Sequence, residues 1–441
     1  MIKKLFLPVD NSPLIVFRIF FGLLLALETI GAILTGWVKE NLIDPKFTFS
    51  YIGMEWLQPL PGYGMYFYFL TMGILGILIM LGWKYRFTLG AFTLLWTGSY
   101  LMQKSSYNNH YYLLILVCII MLFMPANRYA SLDAKNNPAI KTGVMPQWCS
   151  WVLIFQVAIV YFFAAISKFY IGWIDGSFIK LLFESSPFYY KVDFLFSQRW
   201  FQMFIVWSGI AFDLLIVPFL LWKRTRTIAF FSSLVFHLFN AIFLQIGIFP
   251  FFALSFVVFF YPPEKIRSWF FKNKEKVINP QPITANTSVL LYFFLPYFII
   301  QLALPLRHHF IKGDVLWTEE GHRLSWRMML RQRSGTLQFR VIDKHTNTLI
   351  PYNYMKSLTG KQISFVQTKP DGIWQMAQQI KREFQQNGLD VAIYADCETM
   401  INGGHSKKLI DPTVDLASAE WNHIFHNNWI LLYDDNEKRL K

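Results

Sequence analysis

Gln147–Gly176 reads QWCSWVLIFQVAIVYFFAAISKFYIGWIDG, and from Trp148 to Ile166 it is apolar with Gln156 as the main interruption. A helix that crosses a bilayer needs about 20 mostly apolar residues, and this run supplies them. Where the run ends stands a single lysine, Lys168. An ammonium there has two readings. In one, Lys168 snorkels to the headgroups, as lysines at span ends commonly do. In the other, it is enclosed in a poorly hydrated pocket, where burial disfavours its charge and a neutral amine becomes a usable base.

The rest of the 441-residue chain is of the same kind: 54% hydrophobic, 19% aromatic and 15% charged, with 45 Phe. That composition indicates a polytopic membrane protein. The formal net charge of +14 would suit a nucleic-acid binder. Many of the basic residues instead fall in short loops between apolar runs, where membrane topology accounts for them, and no nucleic-acid motif is present. Cys118, Cys149 and Cys397 have no metal-site spacing and set out no disulfide framework. The first apolar run, Leu14 to Ile33, lacks a small-residue cleavage site and carries Arg18 and Glu28, so it is read as a retained helix. Those two residues are ten apart, too far to pair on one helix, and are assigned structural roles.

We read about nine spans, at 14–36, 64–82, 87–102, 111–125, 148–167, 200–222, 227–244, 247–262 and 288–306. With the N-terminus cytoplasmic, the inner segments carry fifteen Lys and Arg and the outer loops before the last span carry six. The bias matches the positive-inside rule. An odd number of spans then puts everything after about residue 307 on the outer face, periplasmic, extracellular or lumenal. There the composition turns soluble. Thr336–Ile342 and Val391–Tyr394 read as strands, His345–Asn347 and Asn402–Gly404 as turns, and Ile373–Gln386 as an amphipathic helix. The expected architecture is a polytopic α-helical membrane bundle, residues 1–306, with a C-terminal α+β extramembrane domain, residues 307–441.

Three stretches carry polar groups that a purely structural bundle does not need. They are the outer loop KSSYNNHYY from Lys104 to Tyr112, the span end at Lys168, and the seventh span with His237 and Asn240 in its outer half. Asn108, Asn109, His110, Lys168, His237 and Asn240 thus fall at one membrane depth. Polar groups at such depth are costly and usually face a cavity or the bundle interior. Singly, His237 has the plainer reading of a helix-bridging hydrogen bond, and the Asn pair that of a turn.

At these residues the sequence resembles the vitamin K-dependent γ-glutamyl carboxylase family, whose membrane part is the horizontally transferred transmembrane domain. Asn108-Asn109-His110-Tyr111-Tyr112-Leu113 is similar to the family's Asn-Asn-His-x-Tyr-Leu. Ala126 to Asp133 resembles Ala-Asn-x-Tyr-x-Ser-x-Asp. Tyr161 to Lys168, followed by Trp173 and Gly176, resembles the catalytic helix Tyr-Phe-x-Ala-x-x-x-Lys with Trp-x-x-Gly. His237, Asn240 and Ile246-Gly247-Ile248-Phe249 fit His-x-x-Asn with Ile-Gly-x-Phe. Outside the membrane, Ser325 to Met329 resembles Ser-Trp-Asp-Met-Met, and Asp411 to Asp415 resembles Asp-Pro-Arg-Val-Asp, with Trp421 following.

Several positions depart from the family. The lysine pair of animal members is Ser167-Lys168, the Asp of Ser-Trp-Asp is Arg327, a tyrosine is His322, and the disulfide tying the two parts together has no counterpart. These departures touch substrate recognition more than quinol chemistry.

The resemblance implies a relay, because no side chain is basic enough to remove a glutamate γ-proton; even an unperturbed lysine has a pKa of only about 10.4. A neutral Lys168 would deprotonate a reduced vitamin K or menaquinol-type quinol, O2 would convert the quinol anion to a strongly basic alkoxide, and the resulting carbanion would add CO2 as the quinone leaves as epoxide. Asn109 and His110 would donate to the quinol oxygens, and His237 would orient the ring. Asn108 and Asn240 would help to bind it. Trp326 and Arg333 would meet the glutamate of a peptide or protein substrate. Lipid quinone and membrane lipids are the other expected partners, with no metal and no nucleic acid. Two alternatives stand beside carboxylation: quinol epoxidation alone, and a non-enzymatic quinone- or peptide-binding membrane protein.

Overall fold

The computed structural model describes residues 2–186, 189–276 and 287–433. All nine expected spans contain helix, but six helices are long and apolar enough to cross a membrane: Ser12–Leu34, Gly64–Leu81, Trp148–Ile166, Arg199–Leu221, Arg226–Phe243 and Leu290–Phe310. Among the described residues, length and composition thus support six of the nine expected spans and leave the count of nine unconfirmed. Tyr85–Met102 begins with a tyrosine and Arg86 and carries five hydroxyl residues besides. Asn109–Leu122 has 14 residues, about 21 Å at 1.5 Å per residue, short of a hydrocarbon core of about 30 Å. Phe249–Ser255 gives way to a 3-10 turn at Phe256–Phe259.

The first long helix is central because small residues let its neighbour approach. A Cβ on Gly76 would lie 2.7 Å from the Ala26 backbone nitrogen, and one on Gly22 would strike the backbone of Met80. Where water provides no driving force between helices, such backbone-to-backbone packing does. Arg18 is fully buried on this helix and donates to the carbonyls of Ala126 (2.8 Å) and Ala130 (2.5 Å). Asp133 accepts from the backbone nitrogens of Lys84 (2.7 Å) and Tyr85 (3.0 Å) and from Asn127 (2.7 Å). The Ala126–Asp133 motif is thus a knot of backbone hydrogen bonds joining three helices, and Arg18 has the structural role expected of it.

In the C-terminal part, four antiparallel strands run in the order Leu349–Ile350, Arg333–Asp343, Val391–Ile401, Lys407–Lys408. The central pair registers Leu337 with Cys397, Phe339 with Ala395 and Val341 with Ile393. These alternate side chains share one apolar core with Phe365 and Val366 of helix Gly360–Thr368 and with Ile373, Met376, Ala377 and Ile380 of helix Pro370–Gln386. That is the period-2 strand face against the amphipathic helix face. Thr359 and Gln362 form a capping box at the first of these helices.

Loops of the bundle hold this sheet part in place. Gln362 donates to the Phe47 carbonyl (2.8 Å), Gln375 to that of Ser50 (2.9 Å) and Lys361 to Asn41 (2.8 Å). Tyr107 donates no less directly: its hydroxyl gives its proton to Asn109 (2.8 Å) and accepts from the Leu324 backbone nitrogen (2.7 Å). Tyr170, just past Lys168, reaches the Leu330 carbonyl. The segment 324–330 therefore closes over helix ends that lie far apart in sequence.

Candidate functional site

A cavity of about 850 Å³ lies at this junction. Part of its wall comes from the bundle: Glu28 and Gly31, Asn109 to Tyr111, and Phe249 with Phe252. The rest comes from Glu319, His322, Arg323, Arg327, Arg331 and Lys369, with Lys104 from the outer loop. One cavity thus joins an aromatic and amide-lined region to a cationic one.

Asn108 begins helix Asn109–Leu122 as its N-cap, its side chain accepting from the backbone nitrogens of His110 (2.6 Å) and Tyr111 (3.2 Å). That cap turns the next two side chains toward the cavity. Asn109 accepts from Tyr107 and donates to the Arg327 carbonyl at 3.2 Å, so its amide is held from both ends. The His110 ring lies flat on Phe249, centroids 3.7 Å apart and planes 14° apart. The His237 ring lies edge-on to Phe249, centroids 6.2 Å apart. His237 is 1% exposed; its Nε2 is 2.9 Å from the Tyr161 hydroxyl, and its Nδ1 has no hydrogen-bond partner among the described residues.

Lys168 does not line this cavity. Its ammonium turns into the bundle and pairs with Asp213 of helix Arg199–Leu221, 5.2 Å from the Trp173 ring. Both side chains are buried, so the lysine does not snorkel. Asp213 also lies near enough to Tyr161 to act on it electrostatically. Asn240 stands one turn beyond His237, half-buried, and does not line the cavity.

Trp326 and Arg333 lie behind the wall. Trp326 is 1% exposed and stacks on Tyr112 at 5.1 Å. Arg333 donates to the carbonyls of Leu316 and Trp317, both at 2.8 Å, and meets Glu319 at 3.2 Å. The cations on the wall itself are Lys104, Arg323, Arg327, Arg331 and Lys369.

Two carboxylates organise them. Glu319 pairs with Arg331, Arg333 (3.2 Å) and Lys369 (2.8 Å). Burial works to raise its pKa, but Arg331, Lys369 and Arg333 outweigh burial and hold it well below the usual range. Asp371 pairs with Lys104 (2.6 Å) and Arg323 (2.8 Å), which likewise overcome burial and keep it ionised. Six cations against Glu319 and Asp371, with Glu28 on the bundle side of the wall, leave positive charge to spare. Burial and the repulsion of Arg331 push Lys369 well below the ordinary lysine value, and push Arg327 down to about 10. An arriving anion would relieve that repulsion.

Sequence reasoning missed Asp213, Glu319, Asp371 and all five wall cations as site residues. Asp213 had a readable signal, a lone carboxylate within a 23-residue apolar helix. Glu28 was assigned structure alone, yet it lines the cavity. Arg323, Arg331 and Lys369 look like any charges of a soluble segment.

Residues 6–265 match the family described as HTTM domain. Residues 286–436 match that described as vitamin K-dependent gamma-carboxylase, lumenal domain. No solved structure matches the chain.

Proposed function

The chain belongs to the vitamin K-dependent γ-glutamyl carboxylase family, and on that premise we propose that it is an integral membrane carboxylase coupling quinol epoxidation to CO2 addition at the glutamate γ-carbon. The observation that carries the reading is the single cavity that joins His110, Asn109 and Phe249 to a wall of surplus cations. A quinol needs apolar faces for its rings and polar contacts for its two oxygens. Phe249, Phe252 and Tyr111 are suited to the first, and Asn109 and His110 to the second; His237, which does not line the cavity, lies next to Phe249 with its Nδ1 unpartnered among the described residues. When bound, the reduced quinone supplies, with O2, the oxidative energy and the strong base that no side chain provides.

The chain's own groups divide the remaining work. His110 and Asn109 donate to an oxygen as negative charge builds on it; because both are already oriented, that stabilisation costs no rearrangement. Phe249 fixes the imidazole plane. Arg327, Arg331 and Lys369 hold the substrate carboxylate, a charge-assisted contact in a buried setting. The apolar wall keeps out water that would protonate a carbanion before CO2 reached it. Lys168 remains the proposed group that receives the first proton.

In this reading residues 1–306 carry the quinol chemistry and 307–441 present the glutamate. The C-terminal part faces outward and the N-terminus lies in the cytoplasm, as the charge bias suggests. Membrane-impermeant labelling of single cysteines at Lys223 and in the sheet part tests this orientation; labelling of the first alone reverses it. The decisive experiment incubates the reconstituted protein with a glutamate peptide, reduced quinone, bicarbonate and O2. Formation of γ-carboxyglutamate together with quinone epoxide is the expected result. Epoxide alone would reduce the activity to quinol oxygenation, and neither product would leave a binding protein.

A further inference from the structure

We propose that Asp213 is the positioning residue through which Lys168 works, and that the carboxylate of Asp213 is where the proton withdrawn from the quinol comes to rest. The inference rests on the carboxylase reading above.

An ammonium already holding three protons cannot accept another. The Lys168–Asp213 pair can, because its carboxylate has a vacant proton site. With a quinol oxygen brought past the cavity wall to Lys168, which stands outside the lining, the quinol O–H bond breaks and its proton joins Lys168 Nζ, while one of the lysine's own N–H bonds breaks and an O–H bond forms on Asp213. The quinol is left one charge more negative and the pair one charge more positive, so charge and protons balance without water or any further reactant.

The surroundings suit this transfer. Asp213 is 6% exposed, on a helix whose neighbouring buried residues Gly209, Ile210, Ile216 and Val217 are apolar. Lys168 is the charged group that acts on it, and Tyr161, hydrogen-bonded to His237, is the other titratable neighbour, among the described residues. A buried ion pair contributes little net stability against well-packed apolar residues. The pair therefore needs a reason beyond holding two helices together, and proton acceptance provides one. It also reconciles a lysine that is ion-paired at rest with a lysine that must take up a proton.

The test is infrared difference spectroscopy on the full-length protein in lipid nanodiscs, without O2, on adding a short-chain naphthohydroquinone. The wild type should gain a protonated-carboxyl C=O band; Asp213→Asn should lack it, and Asp213→Glu should show it shifted. In the presence of O2, Asp213→Asn should form epoxide about 100-fold more slowly or worse, and its kcat should lose the acid limb of its pH profile. Asp213→Glu should recover to within about tenfold of wild type. No band in the wild type, or an Asp213→Asn variant keeping either the band or the wild-type pH profile, overturns the proposal. If Asp213→Asn does not fold, the shifted band of Asp213→Glu decides. A wild type that shows the band but makes no epoxide would sink the carboxylase reading and leave the proton-acceptor role of Asp213 standing.

Discussion

Lys104 and Asp371 meet at 2.6 Å, Nζ to Oδ2, across the junction between the helical bundle and the sheet-bearing part, with 2% and 4% of their side chains exposed. Arg323 joins the same carboxylate at 2.8 Å and lies 5.8 Å from the Tyr107 ring. Tyr107 in turn fixes Asn109. The contact that docks the two parts is therefore linked to Asn109 of the proposed quinol site through Arg323 and Tyr107.

Asp371→Asn should break this junction. It leaves two cations buried without their counter-charge, a loss of about 3–5 kcal/mol for one partner of a buried pair. The thermal transition should fall accordingly, and epoxide formation should fall with it. An unchanged melting temperature would show that the pair does not hold the parts together.

Lys104 also makes a pH prediction. Burial, against the pull of Asp371, lowers its folded pKa to about 8, whereas an unfolded lysine titrates near 10.4. Between about pH 8 and 10.4 the unfolded chain binds more protons, so this group makes stability rise with pH across that window. Lys104→Met should remove the rise. The wild-type-minus-variant difference in melting temperature should therefore grow between pH 7.5 and 10, and a flat difference would refute the assignment.

Lys168→Ala should abolish epoxide and γ-carboxyglutamate together while the protein still folds and inserts. Small amines added to the assay should restore part of the rate if only the amine that passes the proton to Asp213 is missing. Near-normal epoxidation in this variant would reduce Lys168 to a structural ion-pair partner.

His110→Ala should lower kcat by about 100- to 1,000-fold and change the quinol KM little, because a bond that strengthens as charge develops acts on the transition state. Phe249→Ala should act in the same direction more weakly. Losing a stacked aromatic contact costs about 0.5–1.5 kcal/mol beyond buried area, roughly three- to tenfold in rate. Equal rises in KM for both variants would instead mean that the two rings only bind the quinol.

Arg327→Met should raise the KM for a glutamate peptide by about tenfold or more and spare the KM for quinol. A hydrogen bond to a charged group contributes about 1.5–3 kcal/mol, and the Nε of Arg327 is buried without a partner among the described residues. Arg333→Met should disturb folding more than peptide binding, since its Nη1 holds the Leu316 and Trp317 carbonyls and Glu319 and the residue does not line the cavity, although its Nε and Nη2 have no partner among the described residues. The opposite ranking in a peptide titration would move the carboxylate site behind the present wall.

Much of this molecule is legible in order along the chain. Apolar runs of about 20 residues can only be satisfied in a bilayer as helices, since every backbone polar group must be paired internally. The strand Arg333–Asp343 and the helix Pro370–Gln386 declare themselves by periods of 2 and 3.6. Asn109, His110, His237 and Lys168 stand out because polar residues at span ends need a partner or a purpose. What a linear reading cannot supply is which partner each one meets. Lys168 and Asp213 are 45 residues apart, and Asn109 and Arg327 are 218 apart. Only the packing of separate helices brings those groups within hydrogen-bond reach. The cationic wall is hidden for the same reason: Arg323, Arg331 and Lys369 are ordinary surface charges until tertiary structure buries them around Glu319 and Asp371, where low dielectric turns scattered charge into a site.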